Sequence, residues 1–177
     1  MPEKISNRQD AVKKPPGPTE AFSELVVLVF QLNGMLTAAG DALAEPAGQT
    51  SARWRVLAAV ENEPMTVAQI GRAWSLTRQS VQRVADLLER DGLIRYEPNP
   101  AHRRANLVRL TRKGRTTLRR VQTAQRAWAS AVGERVGAVE LETASRILAR
   151  VMDALANCAH LAEASPERTR GSAGNVA

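Results

Sequence analysis

The fold is decided by residues 66–97, TVAQIGRAWSLTRQSVQRVADLLERDGLIRYE. Its first four residues have the Thr-x-x-Gln spacing of a helix capping box, in which two side chains satisfy free backbone amides. They predict a short helix over residues 67–74. After a tight turn, Thr77 can cap a second helix over residues 78–91, which Gly92 ends. The segment therefore predicts two helices joined by a turn.

The second of these helices has two opposed faces. Its apolar side chains are expected to face the core, and they are Val81, Val84, Leu87 and Leu88. Its polar side chains recur at helical spacing on the other side, and they are Gln79, Gln82, Arg83, Asp86 and Arg90. Such a helix packs on one face and offers the other to a polar partner.

The hydrophobic period changes from helical to alternating after this helix. Residues 93–97 and 106–110 are rich in strand-forming side chains. The loop between them, residues 98–104, begins Pro-Asn-Pro and ends with Arg103 and Arg104. We therefore predict a β-hairpin with a basic tip. Two helices followed by such a hairpin form a winged helix-turn-helix.

Further helices surround this unit. Residues 20–44 are apolar almost all round, and Thr50 or Ser51 can cap the helix that follows. After the hairpin, Thr111 caps a long helix, and a last helix follows Gly137. The predicted fold is mainly α, in the order helix-helix-helix-helix-hairpin-helix-helix. Because one small domain cannot cover so apolar a first helix, we expect it to be buried on more than one side, in a two-fold dimer.

Composition excludes several classes of protein. The chain has 177 residues, one cysteine and two histidines, so an internal disulfide is excluded and a metal cluster or histidine triad has little to draw on. We find no nucleophile elbow, glycine-rich phosphate loop or paired carboxylates, and expect neither an enzyme nor a cofactor. The most apolar run, residues 25–32, is shorter than the ~20 residues that cross a bilayer. We therefore expect a cytoplasmic protein without a membrane partner.

Positive charge is concentrated on the helix-turn-helix and the helix after the wing. Residues 66–126 hold fourteen basic and four acidic side chains, a net +10, whereas the whole chain carries +7. This distribution favours a polyanion, and the second helix suits the major groove of DNA. Phosphate contacts are expected from Arg112 and Lys113. The expected DNA-binding residues are Thr77, Arg78, Gln79, Ser80, Gln82 and Arg83 on the helix, and His102, Arg103 and Arg104 on the wing.

Three motifs also resemble one family. They are residues 77–94, TRQSVQRVADLLERDGLI; the wing sequence NPAHRR with LVRLTRKG, from residues 99–104 and 107–114; and Thr-x-x-Arg-Trp-x-Val-Leu over residues 50–57. They are similar to the recognition helix, wing and second helix of the MarR-type (multiple antibiotic resistance regulator) transcription factors. The resemblance covers about residues 20–163. Asn99 and His102 stand where that family commonly has aspartates.

The resemblance implies a homodimer whose first and last helices interlock and which binds a near-palindromic operator, most often as a repressor in the cytoplasm of a bacterium or archaeon. It also implies a small, often phenolic or aromatic, effector that weakens DNA binding. The positions that match its pocket are Leu32, Met35, Leu36, Trp54 and Trp74, although bulky apolar residues there also suit plain core. Cys158 lies on the apolar stripe of the last helix, so we expect it to be buried.

These inferences predict how the chain is organised. Residues 50–110 form the DNA-binding domain, residues 19–45 and 111–163 form a helical dimerisation region, and residues 1–18 and 164–177 are disordered tails. Two other functions remain open: a winged-helix module that docks an acidic protein, and a non-specific DNA-binding protein. The intact arginine-tipped wing disfavours the first alternative, and only a selected DNA sequence would exclude the second.

Overall fold

The computed structural model describes residues 15–102 and 104–163, which contain six α-helices and a three-stranded antiparallel sheet. The elements are α1 (Pro18–Ala44), α2 (Ser51–Ala59), β1 (Met65–Thr66), α3 (Val67–Ala73), α4 (Arg78–Arg90), β2 (Ile94–Glu97), β3 (Leu107–Leu110), α5 (Arg112–Val136) and α6 (Ala138–Glu163). The mainly α, winged helix-turn-helix fold class and the predicted order of helices and hairpin are confirmed. Two compact units divide the chain, one ending at Gln125 and the other beginning at Arg126.

Side-chain caps set the ends of the two central helices. The Thr66 hydroxyl accepts a hydrogen bond from the Gln69 amide, and the Gln69 side-chain oxygen accepts one from the Thr66 amide, so both halves of the capping box form. The Thr77 hydroxyl accepts from the amide of Ser80 at 3.1 Å and starts α4. Gly92 follows α4 with a φ of +69°, a left-handed conformation that glycine adopts at little cost.

The sheet has one strand more than the sequence predicts. β1 pairs antiparallel with β3, which gives the strand order β1-β3-β2, with Met65 opposite Val108 and Ile94 opposite Leu110. A strand of two residues is too short to show an alternating pattern, so only the pairing reveals it. β1 leads straight into α3 and therefore attaches the helix-turn-helix to the wing.

The core of the first unit is built from helices α2 to α5 and the sheet. Its largest fully buried side chains are Leu57, Ile70, Leu88, Ile94, Leu110, Leu118, Val56, Val81, Val108 and Val121. One prediction is wrong, because Leu87 is 38% exposed and Ala85 is buried instead. The buried stripe of α4 runs through positions 81, 85 and 88, and Leu87 lies about 100° away from Leu88 around the helix axis.

Helix α1 is exposed along most of its length in the single chain, and its burial on more than one side in a two-fold dimer stays a prediction. Within the described chain its buried residues are Gly40 and Ala44, close to α2, whose cap is Thr50 rather than Ser51. Eight large apolar side chains are exposed, and they are Phe22, Val27, Leu28, Val29, Phe30, Leu32, Met35 and Leu36. No other part of the described chain covers them.

The length of α1 also corrects the expectation that the most apolar segment of the chain is too short to cross a bilayer. Continued through its last turn to Ala47, it is the one helix of the described residues that is long and apolar enough to cross a membrane, judged by length and composition alone. The apolar run of residues 25–32 is short, but the surrounding alanines, glycines and leucines extend the apolar window. A helix that packs on a protein partner has the same composition.

The second unit has an apolar surface of its own. Seven large apolar side chains are exposed, and they are Val136, Val139, Leu141, Ile147, Leu148, Met152 and Leu155. Cys158 is exposed too, so the expectation that it is buried is wrong for the described chain. The apolar stripe on which it lies exists, but nothing in that unit packs on it.

The predicted tails lie mostly outside the described residues. Residues 15–17 have no regular structure, whereas Pro18 begins α1 and does not belong to a tail. Proline suits the first turn of a helix because its fixed φ is already helical and its missing N–H has no helical partner to lose. The wing-tip Arg103 also lies outside the described residues.

Candidate nucleic-acid interface

The polar face of α4 presents three long side chains without partners. Arg78, Gln79 and Arg83 are exposed and form no hydrogen bond or ion pair with any described residue. Together with Gln82 and Asp86 they line an open concavity of about 580 Å³. Exposed guanidinium and amide groups of this kind can bind base edges or phosphates.

Two of the predicted contact residues serve the start of the helix. The Ser80 hydroxyl donates to the Thr77 carbonyl at 2.9 Å, and the Thr77 hydroxyl lies 3.0 Å from the Ser80 oxygen. These bonds hold the first turn of α4 and so fix the direction in which Arg78 and Gln79 leave the helix. Thr77 and Ser80 are thus engaged in capping, and their contact with DNA stays a prediction.

A groove of about 410 Å³ separates α4 from the wing. It brings together Arg78 and Gln82 from α4 and Arg104 from the wing, as the sequence leads one to expect of a DNA-binding surface. The remaining lining residues were not predicted, and they are Thr66, Val67, Ala68, Tyr96, Ala105 and Asn106. Arg78 from α4 and Arg104 from the wing give the groove the charge that an anionic backbone requires.

Tyr96 is the residue that sequence reasoning missed. The Gln82 side-chain nitrogen lies 2.7 Å from Asp86 Oδ1 and 2.8 Å from the Tyr96 hydroxyl, which itself lies 2.9 Å from Asp86 Oδ1. The spacing of Gln82 and Asp86, four residues apart on a helix, could have indicated their contact. Nothing in the sequence places a tyrosine of β2 beside them.

Asn99 closes the turn of the wing. The side-chain oxygen of Asn99 accepts from the Ala101 amide at 3.0 Å, and its carbonyl accepts from the His102 amide at 3.2 Å. An asparagine side chain can form the same turn as an aspartate because its oxygen accepts in the same position. His102 and Arg104 follow this turn and are exposed.

A carboxylate restrains two arginines on the wing strands. Glu97 lies 2.6 Å from Arg109 Nε and 2.7 Å from Arg95 Nη2. The hydrogen bond from Arg109, with that from Arg95, holds the pKa of Glu97 below its usual range. Because one carboxylate is shared by two guanidinium groups, this triad retains a single net positive charge near the wing.

The far end of α4 is tied to neighbouring helices. Asp91, at the C-cap, forms an ion pair with Arg53 of α2, and the ammonium group of Lys113 donates to the Asp91 carbonyl at 2.8 Å. Lys113 was predicted as a phosphate contact, but in the structure it binds the C-terminal end of α4. Arg112 is exposed at the start of α5. The phosphate role of both residues stays a prediction.

The Arg53–Asp91 pair predicts acid-sensitive stability. The hydrogen bond from Arg53 lowers the pKa of Asp91 from its usual 3.8, so the unfolded chain binds more protons than the folded chain below that value. The stabilisation that this ion pair contributes is complete above pH 3.8. It is lost as the pH falls through the pKa of Asp91 in the folded chain. We expect Asp91→Asn to flatten the acid limb of the free energy of unfolding, measured by urea titration against pH. Asp153→Asn, which removes an exposed carboxylate on α6, should keep the wild-type slope, and equal slopes for all three proteins would contradict this role.

The five candidate effector residues do not share one environment. Trp54 packs against the buried core, whereas Trp74 is 44% exposed. Leu32, Met35 and Leu36 are exposed on α1. The two cavities described above are lined by none of them. Their role in binding a ligand stays a prediction.

Comparison with known proteins places this geometry in a family. Residues 47–105 match the model of the MarR family. An uncharacterised protein of Mycobacterium tuberculosis is 40% identical over 103 residues, which are 58% of this chain and 72% of the relative. The transcriptional activatory protein BadR of Rhodopseudomonas palustris is 30% identical over 100 residues, 54% of this chain and 57% of BadR.

A solved structure shows the same fold. The C80S mutant of MarR from Escherichia coli, complexed with operator DNA, superimposes with a TM-score of 0.68 at 21% sequence identity. The match covers 77% of this chain and 99% of that structure. Because the family match lies on the helix-turn-helix and wing that form the basic groove, the chain belongs to the MarR family of DNA-binding transcription regulators.

Proposed function

We propose that the chain is a homodimeric repressor that binds a near-palindromic operator by inserting α4 into the major groove. The observation that carries this proposal is the exposed face of α4, where Arg78, Gln79 and Arg83 have no partner among the described residues. Elsewhere on the same unit, Arg53, Arg95 and Arg109 are paired with carboxylates. Two arginines and a glutamine that are exposed together on one helix face suit an external polyanion.

The groove beside α4 assigns a role to the wing. Arg104 faces the same cavity as Arg78, so a DNA strand that follows the groove could contact Arg104 through a phosphate and Arg78 through a base edge. Arg78, Gln79, Gln82 and Arg83 would then specify sequence, since arginine pairs well with guanine and glutamine with adenine. His102 and Arg103 belong to the same wing loop, and we propose them as backbone or minor-groove contacts.

The exposed apolar side chains of the two units support the proposal of a homodimer. Helix α1 exposes eight large apolar side chains, and α6 exposes six, each along a helix of more than six turns. Surfaces of this kind on a soluble protein mark contact sites, and a second copy of the same chain would cover both sets symmetrically. The two copies would place their α4 helices in successive major grooves, with half-sites roughly 10 base pairs apart.

The test is selection of random duplex DNA on the purified full-length chain. We expect an inverted repeat that stays bound at salt concentrations that release scrambled DNA. If the pool stays unselected and all binding weakens alike with salt, the chain binds DNA non-specifically and the operator proposal is wrong. An absence of DNA binding at low salt would point to the protein-docking alternative.

The direction of regulation needs its own measurement. MarR-type factors most often repress, but the relative BadR is described as a transcriptional activatory protein. We propose repression for this chain, because a dimer that occupies a promoter excludes polymerase without any further contact. A reporter driven by the selected operator should fall when the chain is expressed, and a rise would show an activator.

We also propose a small aromatic effector that weakens operator binding, through Leu32, Met35, Leu36, Trp54 and Trp74. The partly exposed indole of Trp74 offers a direct readout. A panel of phenolic and aromatic acids should release labelled operator and quench tryptophan fluorescence at the same concentrations. Release without quenching would place the effector elsewhere, and no release across the panel would count against ligand response.

Arg78 provides a test of the interface itself. It lines both cavities at the first position of α4, and Arg78→Ala removes a guanidinium that has no partner among the described residues. We expect operator affinity to fall by about 10-fold to 100-fold, as for loss of one base-reading arginine, with an unchanged melting temperature. Arg146→Ala on α6 removes the same charge from an exposed site and should change affinity little. Equal losses for both variants would mean that only net charge matters.

A further inference from the structure

The last turns of α1 pack on α2 through small residues. Gly40 and Ala44 are the residues of α1 that are buried within the described chain, and Ser51, which begins α2, is buried against Gly40. A Cβ placed on Gly40 would lie 2.9 Å from the Cβ of Ser51 and 3.9 Å from the indole of Trp54. Two Cβ atoms essentially never come so close, so the two helices can approach in this way only because residue 40 has no side chain.

Hydrogen bonds hold the same two helices at a fixed angle. Asp41 Oδ1 accepts from the Ser51 amide at 2.6 Å, and this bond, with one from the Ser51 hydroxyl, lowers the pKa of Asp41 from its usual 3.8. The acceptor is therefore a charged carboxylate at neutral pH, and such bonds are stronger than those between neutral groups. In the short connection between the helices, the Gln49 amide donates to the Ala44 carbonyl at 3.1 Å. The end of α1 is thus tied to the start of α2 on both sides of the turn.

Helices α2 and α4 share a buried core, so they move together. Leu57 of α2 belongs to the same buried cluster as Val81 and Leu88 of α4. The ion pair between Arg53 and Asp91 joins the same two helices at the C-terminal end of α4. A close-packed core transmits a displacement and does not absorb it. A change in the angle between α1 and α2 must therefore move α4 relative to α1.

We propose that the α1–α2 junction, formed by Gly40, Asp41 and Ser51, sets the separation of the two α4 helices in the dimer and so determines which half-site spacing the operator must have. This role rests on the proposed function, in which two copies meet along α1 and each inserts α4 into DNA. The three residues are positioning residues, because they act on DNA only through the helix that they orient.

A small change at the junction is enlarged by the length of α1. Phe22 and Gly40 are eighteen residues apart, which is about 27 Å along a helix. A tilt of roughly 5° at Gly40 moves the Phe22 end by about 2 Å, and two-fold symmetry applies the same tilt to both copies. One base pair advances DNA by about 3.4 Å and turns it by about 35°, so the junction can decide between neighbouring spacings.

The test compares the selected operator with operators whose half-sites are one base pair closer or farther apart. The wild type should bind the selected spacing about tenfold or more tightly than either neighbour, because a half-site turned by about 35° no longer meets the second α4. Gly40→Ala must open the junction by roughly 1 Å, a tilt of about 5° for helices whose axes lie about 8–10 Å apart. We expect it to lower this spacing preference by about fivefold or more, while affinity for a single half-site stays within about twofold of the wild type. A general loss of binding would lower both values alike.

Ser51→Gly is the matched control, because it removes the atom that a Cβ on residue 40 would meet. In a chain that carries Ser51→Gly, adding Gly40→Ala should change the spacing preference by less than about twofold. An equal effect of Gly40→Ala with and without Ser51→Gly would overturn the proposal, as would a wild type that binds all three spacings alike.

Asp41→Ala provides a second variant on an exposed position, should Gly40→Ala fail to fold. It removes the acceptor of the Ser51 amide and should also lower the spacing preference. Asp41→Asn keeps a side-chain oxygen that can accept the same bond, so it should preserve the preference. A spacing preference that neither Gly40→Ala nor Asp41→Ala changes would overturn the proposal.

A distance measurement without DNA tests the junction separately from the operator. A nitroxide label at Glu89→Cys, an exposed position of α4, in a chain that carries Cys158→Ser, reports the separation of the two α4 helices by electron spin resonance. Gly40→Ala should shift the most populated distance by about 2 Å or more, and Ser51→Gly should cancel the shift. An unchanged distance would overturn the role of the junction even if an operator is found. No measurable distance without either substitution at the junction would mean a monomer, which would sink the proposed dimer and the role of the junction with it.

Discussion

Gly114→Ala should lower the free energy of unfolding by about 3 kcal/mol, the upper part of the range for overpacking a buried site. Gly114 is buried in the first turn of α5, where its amide donates to the Thr111 hydroxyl at 3.0 Å. A Cβ at this position would fall far inside van der Waals distance of the Leu93 carbonyl oxygen, and 3.2 Å from a methyl carbon of Leu110. The obstacle is backbone, so no side chain can rotate away to relieve it.

Gly114→Ala should also disturb the proposed DNA-binding surface, in addition to the core. The Leu93 carbonyl also accepts from the Thr111 amide at 3.0 Å, just before β2 begins. Moving α5 away from it would shift the base of the wing relative to α4. A loss of about 3 kcal/mol is a large share of the roughly 5–15 kcal/mol that stabilises a typical domain.

Gly133→Ala is the matched control on the same helix. A Cβ there meets its nearest neighbour, Leu141 Cδ1, at an ordinary 4.0 Å. Because alanine is the better helix former, this variant should gain up to about 1 kcal/mol. Urea unfolding followed by circular dichroism measures both changes. If the two variants unfold at the same urea concentration, the close approach at Gly114 is not what holds α5 to the wing.

Phe30→Lys should produce the largest loss of DNA binding. Phe30 is 72% exposed on α1, so a lysine there costs little in the isolated chain but places a charge inside the proposed dimer contact. Two linked recognition helices bind an inverted repeat about 10²-fold to 10⁴-fold more tightly than one. We expect the variant to sediment as a monomer, to keep its helical content and to lose operator affinity by about 100-fold or more.

Gln31→Lys controls for the added charge at the neighbouring exposed residue. It should remain dimeric and bind the operator nearly as well as the wild type. A wild type that sediments as a monomer would contradict the dimer proposal. If that monomer also bound lipid vesicles through α1, the membrane-length apolar window would be the correct explanation for the helix.

Local signals in the sequence predicted most of the helix-turn-helix. The capping box at Thr66, the cap at Thr77 and the glycine at Gly92 each act through bonds or backbone angles within a few residues. Such signals depend little on the rest of the fold, and all three appear in the structure. The change from helical to alternating period likewise predicted the hairpin, because it reflects which face of each element is covered.

Burial that requires a partner surface is not decided within a single chain. The apolar residues of α1 and the stripe around Cys158 are patterned for contact, but they are exposed in the described chain. Hydrophobic pattern shows that a surface avoids water and does not show which molecule covers it. The prediction that Leu87 is buried is wrong for a local reason. The neighbouring elements determine how wide a stripe of α4 they cover, and Leu87 lies outside that stripe.

The sequence alone determined that α4 carries Gln and Arg side chains on its polar face, because helical periodicity assigns each position to a face. It could not determine which of these side chains remain free. That depends on Tyr96, which follows Gln82 by fourteen residues and reaches it only when β2 folds back beside α4. Contacts between distant residues follow from how the elements pack. The tertiary structure therefore decided that Arg78, Gln79 and Arg83 lack partners among the described residues while the side-chain nitrogen of Gln82 is bound to Asp86 and Tyr96.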